Sequence, residues 1–240
     1  IKAEKPTKII VEHTSVNPIH PINVGQARNP VLGDCLARLL KARGHNVFRH
    51  YYIDDVGRQT AVIAYGYQQL GKPKPEGKPD HFIGKIYAIT SCILEVQRLK
   101  KEIERKKEQA TSDEERLKLQ RELDDWTSIA VDLEAAHPQL FSQLLDKISQ
   151  DENSEARVGE LNRGYESGRR EAKQLIREVS ELCLNGFKNT LSKVGIFYDS
   201  WDWESDFVWN SDVKKTLEEL EKTPYVFRAG QVLEFNAEKV

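Results

Sequence analysis

Hydroxyl, imidazole and carboxamide side chains crowd into one stretch near the start of the chain, His13-Thr14-Ser15-Val16-Asn17-Pro18-Ile19-His20-Pro21-Ile22-Asn23-Val24-Gly25-Gln26. The Asn and Gln amides can donate and accept hydrogen bonds to a polar ligand, but they cannot carry a positive charge. The elements that must hold these groups are legible on either side. Ile9, Ile10 and Val11 form a short apolar strand before the loop. After it, Val31, Leu32, Cys35, Leu36, Leu39 and Leu40 recur at a helical period. Gly44 stops that helix, and Val47 to Ile53 reads as a second strand. Strand–loop–helix–strand units place ligands at the carboxyl end of the first strand. Taken alone, Asn17 is a turn residue before Pro18.

Several spaced blocks of this segment resemble a known family. Class I aminoacyl-tRNA synthetases carry a His-x-Gly-His motif at this point of a nucleotide-binding fold. In the arginyl members it lies within a longer string. Here that string reads Val11-Glu12-His13-Thr14-Ser15-Val16-Asn17-Pro18, then Ala27-Arg28-Asn29, Leu32-Gly33-Asp34, and Tyr52-Ile53-Asp54-Asp55-Val56-Gly57-Arg58-Gln59. The match is dense over residues 8–66. It returns at Asp80-His81-Phe82-Ile83-Gly84 and from Tyr198 to Val208, which includes Trp203-Glu204-Ser205-Asp206. The chain is similar to arginyl-tRNA synthetases of the archaeal kind.

The resemblance implies a fold class: α/β, a partial Rossmann-like class I catalytic core with a large α-helical insertion. It implies ATP as a substrate with Mg2+, no tightly bound cofactor, and no protein metal site. The expected partners are L-arginine, ATP and arginine tRNA, with no membrane and no DNA, in the cytoplasm. Asn23 and Gln26 stand at the two motif histidines, so the resemblance assigns them the catalytic positions. ATP-binding falls to Asn23, Gly25 and Gln26, with helix-start N–H groups facing phosphate and Gly25 allowing close backbone approach. Arginine-binding falls to Ser15, Val16, Asn17 and Gln26. His20, three residues before the motif, is a candidate for a displaced imidazole; the plainer reading is a surface histidine.

Composition narrows the field. Of 240 residues, 31% are charged and 39% hydrophobic, which suits a globular chain with long exposed helices. The net charge of −2 announces no global basic field, so any tRNA-facing surface must be local. The three cysteines, Cys35, Cys92 and Cys183, form no Cys-x-x-Cys pair and give no zinc signature. Their odd number and wide spacing favour a reducing compartment. Cys35 lies on the apolar stripe of the first helix and is expected in the core. No window approaches the apolar length of a membrane span, and the start lacks a signal-peptide apolar region. The chain has no methionine. It also has no Lys-Met-Ser-Lys-Ser-like loop, so it reads as part of a larger protein or as a truncated relative.

Three regions follow from patterning: residues 1–70 as the first half of the core, 71–193 as the mostly helical insertion, and 194–240 as a return to the core. Gly71 to Pro79 is an extended connector. Residues 82–149 read as a helical hairpin. One stripe runs through Ile86, Ile89, Ile93, Val96, Leu99 and Ile103. The partner stripe is Leu117, Leu119, Leu123, Trp126, Ile129 and Leu133. Ser112 and Glu115 suggest a capping box, and His137-Pro138 interrupts the pattern. A single helix is expected from Glu155 to Lys193. Its Arg163, Arg169, Arg170, Lys173 and Arg177 would pair with Glu160, Glu166 and Glu171. Val194 to Tyr198 reads as a strand. The aromatic and acidic patch from Tyr198 to Trp209 could stack bases, but its four interleaved carboxylates would repel phosphate. The end of the chain reads as a helix and a hairpin turning at Gly230.

Two function classes stand beside each other at this point. One is an arginine–tRNA ligase present as a catalytic-domain fragment. The other is a non-catalytic synthetase-like paralogue acting as a tRNA- or protein-binding module. A helical interaction scaffold built on the hairpin is a third.

Overall fold

The computed structural model describes residues 2–108, 113–230 and 232–239. Ser112 of the expected capping box therefore lies outside the described residues. A three-stranded parallel sheet anchors the amino-terminal part, with β1 (Lys8–Glu12), β2 (Asn46–Ile53) and β3 (Ser200–Trp203) in the order β1-β2-β3. Its register pairs Val11 with Arg49 and Tyr51 with Trp201. Helix α1 (Arg28–Ala42) crosses from β1 to β2, and α2 (Arg58–Gln69) follows β2. Because the three strands are parallel, the loops after Glu12, Ile53 and Trp203 emerge at one edge.

Between β2 and β3 the chain is helical: α2, then α3 (Pro79–Glu108), α4 (Asp113–Ala136), α5 (Pro138–Ser149), α6 (Ser154–Glu166) and α7 (Arg170–Lys193). Pro138 sits in the first turn of α5, where its missing N–H costs nothing, so the expected break is real. The α3 stripe is buried at Ile86, Ile89, Ile93, Leu99 and Ile103. The α4 stripe is only partly covered, with Leu117 and Ile129 exposed. One apolar core joins Tyr51 and Ile53 of β2 to α2, α3, α5, α6 and α7. Helices α8 (Glu204–Trp209) and α9 (Asp212–Leu220) then lead to an antiparallel hairpin, β4 (Val226–Ala229) and β5 (Val232–Phe235).

Four expectations are corrected. The 155–193 helix is two helices, because the chain turns at Gly168, whose φ of 75° is left-handed. Val194 to Tyr198 is not a strand; a turn at Gly195 delays pairing until Ser200. Arg177 does not pair with neighbouring glutamates but reaches Asp206 at 2.5 Å and Asp55 at 3.5 Å. Cys35 is exposed, and so are Val31, Leu32, Leu36 and Leu39 beside it. What α1 buries instead is Pro30, Gly33, Asp34 and Ala37, because that narrow face lies against the sheet. Gly33 allows the approach: a Cβ there would meet the His13 ring at 2.2 Å.

Candidate functional site at the carboxyl edge of the sheet

The loop between β1 and α1 ends in a reciprocal clasp. The Asn23 Oδ1 accepts the Gln26 N–H at 2.9 Å, and the Gln26 Oε1 accepts the Asn23 N–H at 3.1 Å. The reciprocity is that of a capping box, but it closes the turn before α1, whose N-cap Ala27 has no side-chain cap bond. The carboxamide oxygens are thus engaged, and the two NH2 groups remain as donors. Gly25, between them, is exposed, and a Cβ there would meet Asn23 Oδ1 at 3.3 Å. Residues 24–27 form a turn that runs straight into α1; its Gln26 and Ala27 N–H groups bond Asn23, the Asn29 N–H bonds the Gln26 carbonyl, and Pro30 has no N–H to offer.

The start of the loop is strained. Thr14 and Ser15 have φ of 72° and 44°, a left-handed conformation that non-glycine residues rarely adopt. Each such residue costs about 1–3 kcal/mol and persists only where its surroundings over-determine it. Those surroundings are visible. The Tyr198 hydroxyl contacts His13 Nδ1 at 3.0 Å and also bonds the Thr14 hydroxyl. The Ser15 hydroxyl donates to Glu12 and accepts the Tyr52 N–H at 3.1 Å. The buried Tyr51 hydroxyl accepts the Val16 N–H at 3.0 Å and donates to the Val16 carbonyl at 2.8 Å. His13 is buried, and that burial, its largest influence, lowers its pKa and favours the neutral ring.

The predicted residues are therefore used differently from one another. Val16 is buried and its backbone N–H and C=O are both held by Tyr51, so it sets the loop's path. The Asn17 carbonyl accepts the Ile19 N–H at 2.8 Å, which is the turn expected before Pro18. His20 donates through Nδ1 to the Pro21 carbonyl at 2.9 Å. The loop at His20 and Pro21 lies on α3, where only a glycine fits: a Cβ on Gly84 would come within 2.8 Å of Pro21.

Acidic groups from the next two loops share the same edge. Burial raises the Glu204 pKa to about 7, helped by its hydrogen bond to Asp54 and by the charges of Asp54 and Asp55. Asp55 itself is fully buried. It accepts the Ser205 N–H at 3.0 Å, the Ser205 hydroxyl at 2.7 Å and the Tyr165 hydroxyl. That network ties the ends of β2 and β3 to α6 and, through Arg177, to α7. Among the described residues no group of three or more His, Cys, Asp or Glu side chains could hold a metal ion.

The comparisons with known proteins agree on one family. The model for the catalytic domain of class I tRNA synthetases (R) matches residues 1–87. The arginine–tRNA ligase of Saccharolobus solfataricus is 46% identical over 230 residues, covering 93% of this chain and 36% of its own length. That of Sulfolobus acidocaldarius is 38% identical over 234 residues, covering 97% and 37%. The chain matches a segment of the class I arginyl-tRNA synthetases. The solved arginyl-tRNA synthetase of Thermus thermophilus superposes with a TM-score of 0.59 at 27% identity, over 98% of this chain and 31% of that one. The chain thus spans about a third of the arginyl-tRNA synthetases it matches. The α/β core with a parallel sheet is shared with them, and the helical segment between β2 and β3 lies within the aligned span. Among the described residues no helix is long and apolar enough to cross a membrane.

Sequence reasoning gave no site role to Tyr51, nor to Glu12 and Tyr198, although the last two stand in its matching blocks. Tyr51 has a readable signal, since it lies next to the Tyr52-Ile53-Asp54-Asp55 string. Tyr198 opens the second matching block, but its support of the loop is not readable there, because its partners are more than 180 positions away in the chain.

Proposed function

We propose that the protein of which this chain is part activates L-arginine with ATP and transfers it to arginine tRNA, and that residues 12–29 form the first half of the ligand cleft. The clasped Asn23–Gln26 turn carries the reading. It stands at the amino end of α1, whose dipole favours phosphate, and it leaves two carboxamide NH2 groups as donors beside the exposed Gly25. In this role Asn23, Gly25 and Gln26 meet the ATP phosphates. Magnesium enters with those phosphates. Ser15, Asn17 and Gln26 border the amino acid, and Val16 fixes their spacing. Glu12, at the end of β1, supplies a carboxylate for the guanidinium.

Neutral amides stabilise developing negative charge through hydrogen bonds alone. The proposal therefore includes a slow but real adenylation step. The test is arginine-dependent ATP–pyrophosphate exchange by the full-length protein, with leucine as the control amino acid. Exchange with arginine only is expected. Binding of arginine tRNA without any exchange would instead select a non-catalytic paralogue.

A further inference from the structure

Two tyrosines from different elements grip the turn that opens the candidate site. Tyr51, in β2, closes on the Val16 backbone. Tyr198, just before β3, closes on the turn itself. Its hydroxyl bonds the Thr14 hydroxyl and meets His13 Nδ1 at 3.0 Å, and those two groups lie 3.1 Å apart. His13 and Thr14 are both buried. His13 Nε2 has no hydrogen-bond partner among the described residues, so the ring is held through Nδ1.

Tyr198 is itself firmly placed. Its ring packs on His13, Tyr51 and Trp201, with centroids 4.7, 5.2 and 5.1 Å away. The next residue is pinned to β2. The Asp199 N–H donates to the Arg49 carbonyl at 2.9 Å, and the Asp199 carboxylate accepts the Arg49 N–H at 2.8 Å. Burial raises the Tyr198 pKa to about 12, so the hydroxyl keeps its proton at neutral pH.

What Tyr198 holds is unfavourable on its own. Thr14 is β-branched and has a φ of 72°, where such residues are genuine outliers. Ser15 takes its place from that bend. Its hydroxyl accepts the Tyr52 N–H at 3.1 Å and donates to the Glu12 carboxylate. The far end of the loop has a separate restraint, the Asn23–Gln26 clasp.

We propose that Tyr198 is a positioning residue for arginine, whose hydroxyl keeps Thr14 left-handed and so aims Ser15 and Glu12 at the amino acid. The proposal rests on the assignment of Ser15, Asn17 and Glu12 to arginine above. It adds a residue 184 positions from Thr14 that acts on the amino-acid end of the loop and spares the ATP end.

The experiment titrates the full-length protein with L-arginine and, separately, with ATP by calorimetry. The proteins are the wild type, Tyr198→Phe, Thr14→Val and the double variant. Tyr198→Phe removes one oxygen and keeps the ring contacts, and Thr14→Val breaks the same bond from its other end. Each single change should weaken arginine binding about tenfold, the scale of one hydrogen bond with the strain it restrains. ATP affinity should stay unchanged, whereas a general loosening of the fold would weaken both ligands. The two losses should not multiply in the double variant, because both changes break one shared bond. If one single variant fails to fold, the other carries the same comparison. Unchanged arginine affinity, equal loss for both ligands, losses that multiply, or a wild type that binds no arginine would each overturn the proposal. Binding is read without turnover. A protein that binds arginine yet performs no pyrophosphate exchange would fail the ligase reading and leave Tyr198 to be judged on affinity alone.

Discussion

Asn23 and Gln26 hold each other's backbone N–H groups, at 3.1 and 2.9 Å, in the turn that leads into α1. The pair therefore has a folding role, closing the turn before α1, that depends on two carboxamide oxygens as acceptors and that imidazoles would not reproduce. Replacing both, Asn23→His with Gln26→His, should lower the stability of the full-length protein by about 1 kcal/mol. The same change should raise its exchange rate, because an imidazolium adds positive charge where phosphate charge develops. Urea titration and pyrophosphate exchange measure the two effects separately. A rate that falls with stability held constant would mean that the carboxamides themselves are the working catalytic groups.

Asp55 predicts a large loss from a small change. Its carboxylate is fully buried and is satisfied by Ser205, Tyr165 and Arg177. Removing one partner of a buried charged network leaves the others unpaired and costs about 3–5 kcal/mol. Asp55→Ala should therefore lower the urea midpoint sharply. Lys214→Ala should barely move it, because its pair with Glu218 is open to solvent on both sides.

The fold was legible where chemistry and periodicity agree, and illegible where a contact spans the helical segment. The β1–α1–β2 unit follows from local signals: an apolar triplet, a 3.6 period and Gly44. The α6–α7 break was underweighted because Gly168 lies within an otherwise regular pattern, and only its left-handed φ separates the helices. The strand after Gly195 was placed too early, since Ile196 and Phe197 look more strand-like than Ser200 and Asp202 until pairing with β2 selects the latter. Within the site, the loop residues were readable from their types. Their supports were not, because Tyr51 and Tyr198 act through hydroxyls whose partners lie 35 and 185 positions away.

The outer face of α1 predicts association. Val31, Leu32, Leu36 and Leu39 are each at least half exposed, and Ile10 on the edge strand β1 is 59% exposed. A contiguous apolar face of this kind marks an interaction surface or an aggregation liability. In proteins about three times as long, further chain is available to cover it. The isolated chain should bind an apolar fluorescent dye and self-associate at micromolar concentration. Leu32→Glu with Leu36→Glu should suppress both while leaving the thermal midpoint nearly unchanged, because neither side chain is buried here. Light scattering and dye titration decide it. A loss of several degrees would mean that these leucines are packed in this chain.

Glu204 sets the direction of the pH dependence. Its folded pKa, about 7, lies above the ordinary 4.5. The unfolded chain thus gives up this proton first as pH rises. The resulting stabilisation is complete below about 4.5 and is lost as pH climbs to 7, where Glu204 ionises beside Asp54 and Asp55. His13 acts in the opposite sense: its lowered pKa keeps the folded ring neutral, so stability falls when pH drops below its ordinary value of 6.5. The wild-type midpoint should therefore decline from pH 6 to pH 8, the part of the range where Glu204 governs. Glu204→Gln keeps a hydrogen-bonding group towards Asp54 and cannot ionise. It should flatten that decline and leave the acid-side loss from His13 in place. Thermal melts of both proteins at pH 5, 6, 7 and 8 would show it, and parallel curves for the two would locate the alkaline sensitivity elsewhere than the Asp54–Glu204 pair.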